Sequence, residues 1–158
     1  MNNNIPLSFE FFPPKTAEGI DKLRETRQQL AKYAPEFFSV TFGAGGSTRD
    51  RTMDTVLEIQ AEGFSAAPHI SCISSSKSEI RELLHAYQSR GIQRLVTLRG
   101  DVPSGEVSSG DFRYALELVE FIRAETGNYF HIEVAAYPEF HPEEIGRASC
   151  RERVYDDV

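Results

Sequence analysis

"SFEFFPPKT", Ser8–Thr16, places a carboxylate, Glu10, among three phenylalanines and then stops at two prolines. The stretch reads as a strand, and the prolines end it there and fix the loop that follows. A helical pattern comes next, with Leu23, Leu30 and Tyr33 near one face. The same order, an apolar run with a polar residue near its end and then a helix, recurs down the chain. The further runs are "FFSVTFG", "SAAPHISCI", "RLVTLRG" and "HIEVAAYP". Between them, Met53, Val56, Leu57 and Gln60 share a helix side, after Ser47 or Thr48 as the cap. Ile80, Leu83, Leu84 and Tyr87 stripe a helix expected over about 78–90, and Leu116, Leu118, Val119 and Ile122 one running from Asp111. Gly91 and Gly127 stand where helices should stop.

Five strands alternating with four helices imply an α/β fold with a parallel sheet and right-handed crossovers. A doubly wound open sheet and a TIM (β/α)8 barrel both fit that order. The dinucleotide fingerprint GxGxxG does not follow the first strand. "GAGGS" follows the second, but the Lys-Ser/Thr of a P-loop is missing, so Gly45 and Gly46 read as turn residues. A closed barrel takes ~250 residues, and the chain has 158.

The composition narrows the function. The apolar fraction is 40% and the charged fraction 26%, as in an ordinary globular domain with its own core. No apolar run is long enough to span a membrane, and the N-terminus lacks the features of a signal peptide, so a cytoplasmic protein is expected. A net charge of −7 disfavours nucleic acid as a partner. Cys72 and Cys150 make neither a disulfide framework nor a zinc site, and no metal constellation is read.

The strongest signal is positional. In either parallel architecture the active site lies at the carboxyl ends of the strands. Glu10, then Thr41 and Gly43, then His69, then Arg99-Gly100-Asp101, then Tyr137 and His141 fall at that end of five successive runs. His131, at the start of the fifth run, reads as structural, and His85 as a surface residue.

These segments carry a resemblance. "SFEFFPPKT", "SVTFGAGGSTRDRT", "APHISCI", "LVTLRGDVPSG" and "VAAYPEFHPE", in that order, resemble the N-terminal half of a bacterial-type methylenetetrahydrofolate reductase. The resemblance implies a TIM barrel, of which residues 1–144 would supply about the first five strands and four helices. It implies FAD as cofactor, NADH or NADPH as electron donor, and 5,10-methylenetetrahydrofolate as the substrate reduced to 5-methyltetrahydrofolate for methionine synthesis. A homo-oligomeric parent enzyme is also implied.

By the same resemblance Glu10 is the general acid. Thr41, Phe42 (where a Tyr is more usual), Ala44, His69, Arg99, Gly100 and Asp101 match cofactor-contacting positions. Asp101 also matches a folate contact with a catalytic role, and Tyr114 and Ala115 align with an adenosine-side pair. Tyr137 and His141 complete the set. Residues 145–158 depart from the family, and "IGRASCRERV" resembles a reading frame of a sequencing-library adapter, so this tail is read as non-native. The alternative is a divergent helix with Arg147, Arg151 and Arg153 on a solvated face.

The chemistry assigned to Glu10 is specific. The methylene folate ring must open to an iminium ion before hydride arrives, and opening requires a proton on N10. A carboxyl group has a pKa of about 4.3 in water, and an apolar setting raises it. Phe9, Phe11 and Phe12 are candidates for that setting, although alternation sends some of them to the opposite side. A carboxylate at Asp101 would stabilise the developing cation. The competing readings are another FAD-dependent barrel, such as a proline dehydrogenase relative, and a half-barrel that acts only as a binding module.

Overall fold

The computed structural model describes residues 6–43, 48–100 and 110–136. Ala44, Gly45, Gly46, Asp101, Tyr137, His141 and Cys150, with the whole of 145–158, lie outside the described residues. The elements are β1 (Ser8–Phe11), α1 (Ala17–Leu30), β2 (Phe37–Val40), α2 (Arg49–Ala61), β3 (Ala66–Ser71), α3 (Lys77–Ser89), β4 (Arg94–Leu98), α4 (Ala115–Thr126) and β5 (His131–Val134). All four strand pairings are parallel, and the spatial order is β1-β2-β3-β4-β5.

That order decides between the two architectures. A doubly wound sheet reverses direction partway, so its helices fall on both faces. Here each strand is added on the same side as the last. Right-handed crossovers then stack every helix on one face, which is the winding of a partial TIM barrel. Among the described residues, β1 and β5 are each paired on one side only.

The core lies between the sheet and that helical layer. Phe11, Phe38, Val40, Ile70 and Leu95 face it from the strands, and Val56, Ile59, Ile80, Leu83, Leu84, Leu118 and Ile122 face it from the helices. The stripe on α3 is the most complete, with Ile80, Leu83, Leu84 and Tyr87 all buried. Burying one such aliphatic side chain contributes about 2 kcal/mol, which sets the anchoring of α3 well above exposed pairs such as Arg81–Glu125. The helix α1 is docked differently. Arg27 is fully buried, and its guanidinium reaches Glu58 and Glu62 across α2, while Arg24 holds Glu58 from outside at 2.8 Å.

Three expectations shift. Tyr33 lies in a short 3-10 turn, Ala31–Tyr33, beyond the end of α1, and is exposed, whereas Leu23 and Leu30 are partly buried against the core. The last helix begins at Ala115, not Asp111, because the Asp111 carboxylate accepts from Lys77 N–H at the start of α3 (2.8 Å). The Glu117 carboxylate accepts from Arg113 N–H and Tyr114 N–H in its place. Thr48 is the N-terminal cap residue of α2 by position, but its hydroxyl is used elsewhere. It accepts from Gly43 N–H at 2.7 Å and meets Thr52 Oγ1 at 3.2 Å, while Thr52 donates to the Thr41 carbonyl at 2.8 Å. Two threonines thus tie the end of β2 to the first turn of α2.

Candidate active site

The face of the sheet turned away from the helices forms a cavity of about 560 Å³. Strand parity selects its lining. In β1, Ser8 and Glu10 face it while Phe9 and Phe11 face the helices, because alternate side chains point to opposite faces. Ser39 and Thr41 continue the lining from β2, His69 and Ser71 from β3, Val96 and Leu98 from β4, and Glu133 from β5. Phe42 and Gly100 lie at the rim, where β2 and β4 end.

The aromatic run around Glu10 is therefore not its environment. Phe9 and Phe11 stack on Phe38, at 6.2 and 5.4 Å between ring centroids, on the far side of the sheet. Phe12 is exposed. The expectation that these rings surround the carboxylate is corrected: the Glu10 side chain is 57% exposed and opens into the cavity. The rings instead anchor β1 from behind and so fix the direction in which Glu10 projects.

Glu10 meets His69. Its Oε2 lies 3.3 Å from His69 Nε2, although β2 runs between their strands. The row opposite Glu10 is Ser39 and then Ala67, and these small side chains leave the carboxylate room to cross. The His69 side chain is only 5% exposed. Burial pushes its pKa down from 6.5 to about 4, so the ring is neutral near pH 7.

That depression makes stability depend on pH. Between about 6.5 and about 4 the unfolded chain takes up a proton that buried His69 refuses, so stability is full above the upper value and falls as the pH drops. Between neutrality and about pH 5 the wild type should lose about 2 kcal/mol more than His69→Gln, measured by denaturant unfolding at each pH. Parallel pH curves for the two proteins would show that His69 is accessible to protons when folded.

The opposite end of the cavity is sealed by charge. Arg94, the first residue of β4, pairs with Glu36 at 2.7 Å and with Glu133, and its guanidinium lies 4.6 Å from the centre of the Phe37 ring. His131 Nε2 is 3.0 Å from Glu133, which agrees with a structural reading of that histidine. This ionic cluster stands at the amino end of β4, away from the carboxyl ends of the strands.

The candidate residues divide in three. Glu10, Thr41, Phe42, His69 and Gly100 line the same cavity. Arg99, Tyr114 and Ala115 do not. The Arg99 carbonyl accepts from Ser71 Oγ at 3.0 Å and from Ile73 N–H at 2.8 Å, which makes its backbone a strut behind the rim. Tyr114 is exposed, and Ala115 opens α4. Ala44, Asp101, Tyr137 and His141 are among the undescribed residues. Sequence reasoning missed Ser39, Ser71 and Glu133. The first two share strand parity with Thr41 and His69 and could have been found by counting in twos. Cys72 is buried, and its thiol is pushed up to about 11, mainly by desolvation, so it is not a nucleophile at neutral pH.

A flat ring system with polar edges needs an apolar slot with a few well-placed hydrogen-bonding groups. The cavity offers Val96, Leu98 and Phe42 beside the hydroxyls of Ser39, Thr41 and Ser71 and the neutral His69, and so fits such a group.

Comparison with known proteins gives a consistent result. A family model described as methylenetetrahydrofolate reductase matches residues 1–154. The 5,10-methylenetetrahydrofolate reductase of Pectobacterium carotovorum is 42% identical over 144 residues, covering 90% of this chain and 47% of the relative. That of Escherichia coli is 41% identical with the same coverage. A probable methylenetetrahydrofolate reductase (NADH) of Oryza sativa is 42% identical, covering 88% of this chain and 24% of the relative. The chain thus spans about half the length of the bacterial relatives and about a quarter of the plant one.

Proposed function

The chain belongs to the methylenetetrahydrofolate reductase family, and from that premise we propose that residues 1–144 form the front half of a barrel that reduces 5,10-methylenetetrahydrofolate to 5-methyltetrahydrofolate. The observation that supports the reading is the approach of Glu10 Oε2 to 3.3 Å from a buried neutral histidine on the open face of the sheet. FAD bound in this cavity would supply the two-electron relay between a nicotinamide nucleotide and the folate.

The residues of the chain divide the remaining work. Glu10 projects toward the open side and delivers the proton that lets the folate ring open at N10. Thr41 and Phe42 border the same space at the end of β2, held by the Thr48–Thr52 tie. Gly100 brings bare backbone to the rim beside Ser71. Asp101, which follows it in sequence, is assigned by family resemblance to stabilise the cation that develops on the opened folate. Residues of the remaining strands of the barrel would close the cavity and exclude water.

The test is a separation of half-reactions in a full-length family enzyme carrying this segment. Purified protein should retain FAD, take electrons from a nicotinamide nucleotide, and return them to methylenetetrahydrofolate. A flavoprotein that accepts nicotinamide electrons but is never reoxidised by the folate would end the proposal and point to a different barrel oxidoreductase.

A further inference from the structure

His69 has a use that no step so far assigns to it. Among the described residues its Nε2 is buried and makes no hydrogen bond, and Glu10 Oε2 lies 3.3 Å away. A buried polar nitrogen left unpaired is costly. The carboxylate is the mobile member of the pair, being more than half exposed, and a small rotation about its side-chain bonds completes the bond. A neutral ring with its proton on Nε2 can then donate to a carboxyl oxygen whether Glu10 is ionised or protonated, whereas the other tautomer could pair only by taking up the acid's own proton.

We propose that His69 is the positioning residue for Glu10: it donates from Nε2 to one carboxyl oxygen and so leaves the other oxygen to carry the proton toward the folate. The proposal rests on the reading of Glu10 as the acid and deepens it. A carboxyl group held by one fixed donor has one rotamer and one protonated edge. A free one would sample several, and the misplacement would slow proton delivery. The surroundings favour a neutral donor in this role. Among the described residues that line the cavity, β2 and its end contribute the uncharged Phe37, Ser39, Thr41 and Phe42, and β4 contributes Val96 and Leu98. From β5 comes Glu133, which is already engaged by Arg94 and His131.

The test again uses a full-length family enzyme carrying this segment, with isotope-labelled histidine rings, and the variants His69→Leu, His69→Gln, Glu10→Gln and the double Glu10→Gln/His69→Leu. Nitrogen NMR near neutral pH should show the proton of His69 on Nε2, with a resonance that moves on Glu10→Gln. His69→Leu should slow folate-driven reoxidation of the flavin about 10-fold more than it slows nicotinamide-driven reduction. His69→Gln, which keeps a donor, should recover the larger part of that difference. Added to Glu10→Gln, His69→Leu should cost less than about 3-fold more, because the two act as a unit. A proton on the other ring nitrogen, equal losses in both half-reactions, or full additivity in the double variant would each overturn the proposal. If Glu10→Gln alone leaves reoxidation intact, the acid reading fails instead, and the nitrogen spectrum still decides whether the two side chains are bonded.

Discussion

Glu10→Gln should leave electron transfer from nicotinamide within a few-fold of the parent and cut reoxidation by methylenetetrahydrofolate about 10²-fold or more, a loss of about 3 kcal/mol of transition-state stabilisation. The asymmetry follows from where a proton is needed. Hydride delivery from the nicotinamide leaves the folate untouched, whereas ring opening at N10 cannot proceed without an acid. The structure makes Gln a clean probe. Glu10 projects into the cavity from β1 while Phe9 and Phe11 pin the strand from behind, so its replacement disturbs no core contact. The amide oxygen of Gln can still accept from His69 Nε2, which lies 3.3 Å away in the parent. Size, polarity and that contact survive, and only the transferable proton is lost. The measurement is stopped-flow absorbance of the flavin in each half-reaction, in a full-length family enzyme. Equal losses in both would make Glu10 a structural residue, and no loss in either would place the proton source elsewhere in the site.

What the sequence disclosed depended on how local the cause was. The alternation of β1 is local, so the placement of Glu10 near the end of a strand was legible, and so was its separation from Phe9 and Phe11 for a reader who counts in twos. The stripe on α3 was legible for the same reason, since four apolar residues at helical spacing admit one buried face. The choice between barrel and open sheet was legible only through the family resemblance and not from the pattern of strands and helices, because strand order is set by pairings between residues far apart in the chain. Nor was the start of α4. Asp111 has the chemistry of a helix cap, but its carboxylate accepts from Lys77 N–H in the first turn of α3 instead, across a gap of many residues. Arg94 repeats the lesson. It reads as an ordinary strand residue, yet it gathers Glu36 and Glu133 from two other elements to seal one end of the cavity. The Glu10–His69 contact is also non-local. It depends on Ser39 and Ala67 being small in the row between them, which only the register reveals.

Gly100→Ala should destabilise the chain by about 4 kcal/mol, with the damage centred on the rim of the cavity. Two causes add. Gly100 has φ +83°, in the left-handed region that a side chain disfavours, at a cost of about 1–2 kcal/mol. A Cβ there would also lie 2.0 Å from Ser71 Oγ and 2.9 Å from Ile73 Cγ2. Ser71 cannot turn aside freely, because its hydroxyl bonds the Arg99 carbonyl at 3.0 Å and its backbone is paired with Leu98. Overpacking of this kind adds about 1–3 kcal/mol. Gly63 provides the control. Its φ is +87°, and a Cβ there meets nothing within 4 Å. Gly63→Ala should therefore show the conformational cost alone, and the excess of Gly100→Ala over it measures the crowding. Adding Ser71→Gly to Gly100→Ala should remove most of that excess and leave the conformational part. Denaturant midpoints of the four proteins decide the matter. If Gly100→Ala costs no more than Gly63→Ala, β3 gives way to the new methyl group, and the close approach of the Gly100 backbone to Ser71 does not shape the mouth of the site.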